Sequence, residues 1–146
     1  VFEHVITEGR KRVFKNVLER SDMREIIRKL RDGRVVWFSP DQDHGIKNSV
    51  FAPFFDIPAA TVTSASKLMK LGKAKPVFVA HKRDLDTNHY HITFAVPEDE
   101  FPSGDDVTDA SIINQMIEHA IRQQPDQYMW VHRRFKTRPP GEPSVY

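Results

Sequence analysis

The chain contains no cysteine among its 146 residues, which removes disulfides, thiol nucleophiles and thiolate metal sites from consideration. A reducing compartment is compatible with that absence but is not required by it. Glycine is scarce, with six residues scattered singly, so no glycine-rich loop is available to cradle a phosphate. No apolar run approaches the roughly 18 residues of a bilayer-spanning helix, so membrane contact by this segment would be peripheral. An excess of one charge is missing too: a net charge of +2 falls short of the basic balance of a nucleic-acid domain, and nucleic acid is not the expected partner.

What is present suits one folded domain over residues 1–146, with 39% hydrophobic and 29% charged residues. Positive charge is local, at Arg10 to Lys15, Lys67 to Lys75 and His132 to Arg138. A helix is expected from Phe2 to about Glu8, with Phe2, Val5 and Ile6 on one face. Asp22 with Glu25 reads as a capping pair for a second helix, in which Met23, Ile26, Ile27 and Leu30 recur at helical spacing before Asp32-Gly33 closes it. Val35 to Phe38 is a continuous apolar run, the pattern of a strand buried on both faces.

Phe51 to Phe55, aromatic and broken by Pro53, reads as a loop or edge segment covering a cavity. Thr61 to Leu71 reads as a helix stopped by Gly72. Pro76 to Ala80 is expected to be a second buried strand, Lys82 to Asn88 a charged turn, and His89 to Val96 a third, alternating strand. Asp109 to Gln123 forms the last helix, with Ile112, Ile113, Met116, Ile117, Ala120 and Ile121 towards the core. Strands alternating with helices predict an α/β fold.

Two segments carry chemistry. The loop from Asp41 to Asn48 leaves the C-terminal end of an expected strand, where ligands bind in open α/β sheets, and brings Asp41, Asp43, His44 and Lys47. A carboxylate there can orient a hydroxyl or hold an arginine, and it can equally cap the turn after Pro40. Towards the C-terminus, Tyr128, Trp130 and Phe135 interleave with Arg133, Arg134, Lys136 and Arg138. Aromatic faces beside fixed cations suit an anionic partner with an apolar surface, the plainer alternative being a solvated basic tail.

Other candidates are weaker. His81 and Asp86 are separated by four residues, but they sit at a charged turn where such side chains are usually solvated or locally bonded. His89 and His91 share a strand face, whereas zinc needs three or four convergent ligands, so no metal site is expected.

In order and spacing these blocks resemble the bacterial lipid A biosynthesis (late) lauroyl/myristoyl acyltransferase family. The resemblance runs through Val36-Trp37-Phe38-Ser39-Pro40-Asp41-Gln42-Asp43-His44-Gly45, then Ser49 to Phe55, Pro58 to Thr61, and the stretch Pro125 to Pro139. It covers nearly the whole chain. The family's catalytic His, followed after four residues by Asp or Glu, precedes the Pro-Asp-Gln block, which here lies only about forty residues into the sequence, so His81 is on the wrong side.

The resemblance implies the C-terminal half of a glycerolipid acyltransferase-like α/β fold, a mixed sheet with flanking helices, whose membrane anchor and catalytic dyad lie upstream. It implies no catalytic residue here, supporting roles for Asp41 and Arg10, and substrate contacts from Arg10, Asp41, Asp43, Arg133 and Arg134. The implied reaction moves a fatty acyl chain from acyl carrier protein to a hydroxyl of a Kdo-bearing lipid A precursor, in lipopolysaccharide biosynthesis at the cytoplasmic face of the inner membrane. Acyl carrier protein, the lipid precursor and the membrane surface would be the partners. No cofactor is implied beyond the acyl carrier co-substrate, and the isolated chain is expected to be inactive. The alternative is a non-enzymatic module that binds anionic lipid or nucleic acid through the basic-aromatic run.

Overall fold

The computed structural model describes residues 2–19 and 22–146, with side chains described from His4 onward. The expected place of Phe2 on an apolar helix face lies outside the described side chains. Helix α1 (Phe2–Lys11) runs slightly longer than the sequence pattern suggests. Helix α2 (Met23–Arg31) begins where Asp22 Oδ1 accepts the Glu25 N–H at 3.1 Å, and so satisfies one of the free donors of the first turn. It ends at Gly33, whose φ of +73° lets the Arg34 N–H turn back to the Lys29 carbonyl at 2.9 Å.

Strands β1 (Ser49–Phe54) and β2 (Ile57–Val62) form an antiparallel hairpin. Pro53 lies directly opposite Pro58, so the two residues that cannot donate face each other in the ladder. Helix α3 (Ser64–Gly72) follows, then a second antiparallel pair, β3 (Phe78–Arg83) with β4 (Tyr90–Ala95). Helix α4 (Asp106–Gln123) is capped by Asp105, which accepts the Thr108 N–H at 2.7 Å. Two short 3-10 turns, Pro125–Gln127 and Trp130–His132, shape the C-terminal run. The chain is thus α/β, with two two-stranded antiparallel sheets among the described residues.

Four expectations about single elements are corrected. Val35 to Phe38 is not a strand: no described strand pairs with it, Val35 is 100% exposed, and Trp37 Nε1 donates outward to Ser39 Oγ at 3.1 Å. A strand buried on both faces needs neighbours on both edges and layers on both sides, and these four residues have neither. Phe51 to Phe55 is the edge segment of the two alternatives and not a loop: it supplies most of β1 in a two-stranded sheet, and Phe54 is buried in the core instead of covering a cavity. Thr61 and Val62 belong to β2, as β-branched side chains on a packed sheet favour, so α3 starts only at Ser64. The strand expected at Pro76 to Ala80 starts at Phe78, is only half-buried, and pairs with a mostly exposed β4.

The core lies where α4 crosses the first hairpin. Phe54, Ala59, Ile117, Ile121 and Phe135 are buried together, with Phe55, Ile57, Phe78, Ile113 and Tyr128 packed around them. Phe135 comes from the C-terminal run, which is therefore part of the body. No helix among the described residues is long and apolar enough to cross a membrane.

Gly72 does not stop α3. Lys73 takes the left-handed conformation that ends the helix, while Gly72 is its last helical residue and is buried. A Cβ on Gly72 would stand 2.7 Å from Leu30 Cβ and Cδ1, so the glycine lets α2 and α3 approach closely. Gly72→Ala should therefore cost about 1–3 kcal/mol in urea unfolding despite the better helix propensity of alanine. A neutral or stabilising result would contradict this packing.

Candidate functional site

The centre of the site is a buried cation. Arg134 is 2% exposed, although its sequence neighbours Arg133 and Lys136 are exposed. A guanidinium taken out of water needs its donors satisfied. Nη1 donates to the Ala60 carbonyl at 2.7 Å, and Nη2 donates to Thr61 Oγ1 at 2.8 Å and Asn114 Oδ1 at 3.2 Å. The group also lies 5.2 Å from the centre of the Phe54 ring. Burial presses its pKa below the ordinary guanidinium value, and the charges of Asp43 and Asp41 act in the opposite direction.

Asn114 is the partner that the sequence hid. It sits within the apolar face of α4 and donates to the Pro53 carbonyl at 2.8 Å and to Thr61 Oγ1 at 3.0 Å. Arg134, Thr61 and Asn114 thus join the C-terminal run, β2 and α4 in one polar network inside the core. Read only for apolar periodicity, an asparagine on that face looks like an interruption, and its burial is the signal that identifies it.

The Asp41 loop is stapled to the same run. Asp43 is 3% exposed; its Oδ2 accepts the Thr137 N–H at 2.8 Å, and its Oδ1 accepts the Thr137 hydroxyl at 2.9 Å and the Gly45 N–H at 2.8 Å. Gln42 Nε2 lies 3.4 Å from His132 Nε2. The loop and the run, more than eighty residues apart in sequence, therefore form one surface. Asp41 immediately precedes these ties, half-buried, and its carboxylate accepts no hydrogen bond among the described residues.

Tyr128 lies near enough to Asp41 to feel its charge. Its ring packs edge-on against Trp130 at 4.9 Å and tilts towards Phe54 at 6.4 Å, while its hydroxyl is buried without a partner among the described residues. Burial, reinforced by the Asp41 charge, pushes the Tyr128 pKa up to about 12. The tyrosine therefore keeps its proton near neutral pH and can act as a donor.

The remaining candidates lie apart from this cluster. Arg133 is exposed, 5.7 Å over the Tyr146 ring, and so presents its charge at the rim. Arg138 is drawn inward, donating from Nη1 to the Pro58 carbonyl at 2.6 Å and pairing with Glu142. Arg10 is exposed on the last turn of α1, and no hydrogen bond or ion pair joins its side chain to the Asp41 loop among the described residues. His81 is exposed on β3 beside Tyr90, while Asp84 Oδ1 accepts the Asp86 and Thr87 N–H groups and closes the neighbouring turn. No bond links His81 to Asp86.

Comparison with known proteins gives one consistent answer. The family model described as bacterial lipid A biosynthesis acyltransferase matches residues 1–137. The chain is 42% identical to the lipid A biosynthesis lauroyltransferase of Escherichia coli (strain K12) over 141 residues, which cover 96% of this chain and 46% of that protein. It is 42% identical to the palmitoleoyltransferase of the same organism over 147 residues, 100% of this chain and 48% of that protein. For the myristoyltransferase the figure is 33% over 147 residues, again all of this chain and 46% of the relative. The chain spans about half the length of the curated relatives it matches.

Two outcomes test this geometry. Arg134→Ala leaves several buried acceptors unmatched and opens a cavity, and should cost about 3 kcal/mol or more in urea unfolding, whereas Arg133→Ala should change stability by less than about 0.5 kcal/mol. Equal losses would contradict the inward placement. Because the folded pKa of Tyr128 lies above the ordinary tyrosine value of about 10, its contribution is intact below that pH and is lost as pH rises towards about 12. Urea unfolding should show wild type losing more stability than Tyr128→Phe across that window; parallel profiles would contradict it.

Proposed function

We propose, for a chain that belongs to the bacterial lipid A biosynthesis acyltransferase family, that it contributes the acceptor-side pocket of an enzyme moving a fatty acyl chain from acyl carrier protein to a hydroxyl of a Kdo-bearing lipid A precursor. The observation that carries this reading is the Asp41 carboxylate. It stands half-buried, with no hydrogen bond among the described residues, on a loop that Asp43 ties to the C-terminal run, where its charge acts on Tyr128.

In the proposed reaction the acceptor hydroxyl attacks the thioester carbonyl while a base removes its proton. The tetrahedral intermediate then expels the carrier thiolate, which is reprotonated as the ester forms. The base is the family's histidine, supplied by a part of the enzyme outside this chain. Asp41 orients the acceptor hydroxyl or that base, while Arg10 and Arg133 hold anionic groups of the lipid by paired hydrogen bonds. Asp43 and Arg134 serve binding through the surface they hold in place. The enzyme works at the cytoplasmic face of the inner membrane, with the membrane surface and acyl carrier protein as partners.

Mass spectrometry of the lipid precursor, after incubation with acyl carrier protein thioester and the full-length enzyme carrying this chain, should show the gain of one acyl group. Asp41→Asn should slow that gain by about 100-fold, the penalty of misplacing a reacting group. Binding of anionic lipid without any acyl gain, from folded protein, would overturn the proposal in favour of a binding module.

A further inference from the structure

Among the described residues, two buried donors and one half-buried carboxylate lack hydrogen-bond partners where the C-terminal run meets the Asp41 loop, and they are complementary in chemistry. The Tyr128 hydroxyl and Arg134 Nε are both buried donors without an acceptor among the described residues. The Asp41 carboxylate is an acceptor without a donor among the described residues, and its charge acts on both Tyr128 and Arg134. The neighbouring carboxylate cannot serve, because Asp43 already accepts from Thr137 and Gly45. Buried polar groups are almost always bonded, and an orphan marks either a reservoir of strain or a functional role.

We propose that Tyr128 is a positioning residue for Asp41: its hydroxyl, with Arg134 Nε, receives one oxygen of the Asp41 carboxylate when the acceptor binds and so fixes the direction of the other. This rests on the acyltransferase reading above. Both donors are already held in place. Phe54 and Trp130 hold the tyrosine ring, and the bonds to Ala60, Thr61 and Asn114 hold the guanidinium. The raised pKa of Tyr128 ensures that the hydroxyl carries the proton it donates. A carboxylate gripped by two fixed donors is preorganised, so no reorganisation is needed as the acceptor reacts.

The arrangement makes stability and activity move in opposite directions. Phenylalanine would fill the same space without an unmatched hydroxyl, so Tyr128→Phe should melt no lower than wild type. In the full-length enzyme, assayed with acyl carrier protein thioester and a Kdo-bearing lipid A precursor, the same variant should lower kcat about tenfold and leave the KM for the acyl donor unchanged. Combined with Asp41→Asn it should add little, because both substitutions remove one interaction.

A Tyr128→Phe enzyme within about twofold of wild type, or effects of the two substitutions that simply multiply, would overturn the positioning role while leaving the acyltransferase reading intact. Wild-type enzyme that forms no product would overturn that reading, and the positioning role with it.

Discussion

The Arg134 guanidinium, buried without an ion pair among the described residues, sets the terms for the rest of this fold. Desolvating a charge is expensive, and it is tolerated only where hydrogen bonds replace the lost water. For Arg134 those bonds come from the Ala60 carbonyl, Thr61 and Asn114, so β2 and α4 must hold a fixed register against each other. The flanking Phe135 then enters the core, and the whole C-terminal run is docked. Once docked, the run offers Thr137 to Asp43 and His132 to Gln42, and the Asp41 loop is fixed in turn. The site is thus a consequence of core packing.

Where the sequence was easy to read, one local interaction decided the outcome. The Asp22 cap, the Gly33 stop and the apolar face of α4 each depend on residues within about one turn of each other, and each is found as expected. Of the three aromatics interleaved with the cations, Tyr128 and Phe135 pack on the core, whereas Trp130 stays 47% exposed. Reading failed where the deciding partner is distant. Nothing near Gly72 announces Leu30, and nothing near Arg134 announces Thr61 or Asn114. Arg133 and Arg134 are chemically identical in the sequence, yet one is at the rim and the other in the core.

The apolar runs failed for a different reason. Val35 to Phe38 and Pro76 to Ala80 carry the hydrophobicity of buried strands, and His89 to Val96 alternates as a half-buried strand does, but Val35, Trp37, Ile92 and Phe94 are all exposed. A hydrophobic pattern reports that a segment benefits from cover and says nothing about what provides it. Asp41 belongs to this class as well. Its place beside Pro40 drew attention, but only the saturated Asp43 two residues away shows which of the two carboxylates is structural and which remains available.

The central claim is that the Asp41 loop and the basic-aromatic run form one acceptor-binding surface. Hydrogen exchange of the full-length enzyme with and without a Kdo-bearing lipid A precursor tests it most directly. The account predicts added protection over both residues 41–48 and residues 128–138, with residues 81–91 unchanged. Protection confined to the β3–β4 turn, or to only one of the two segments, would contradict it.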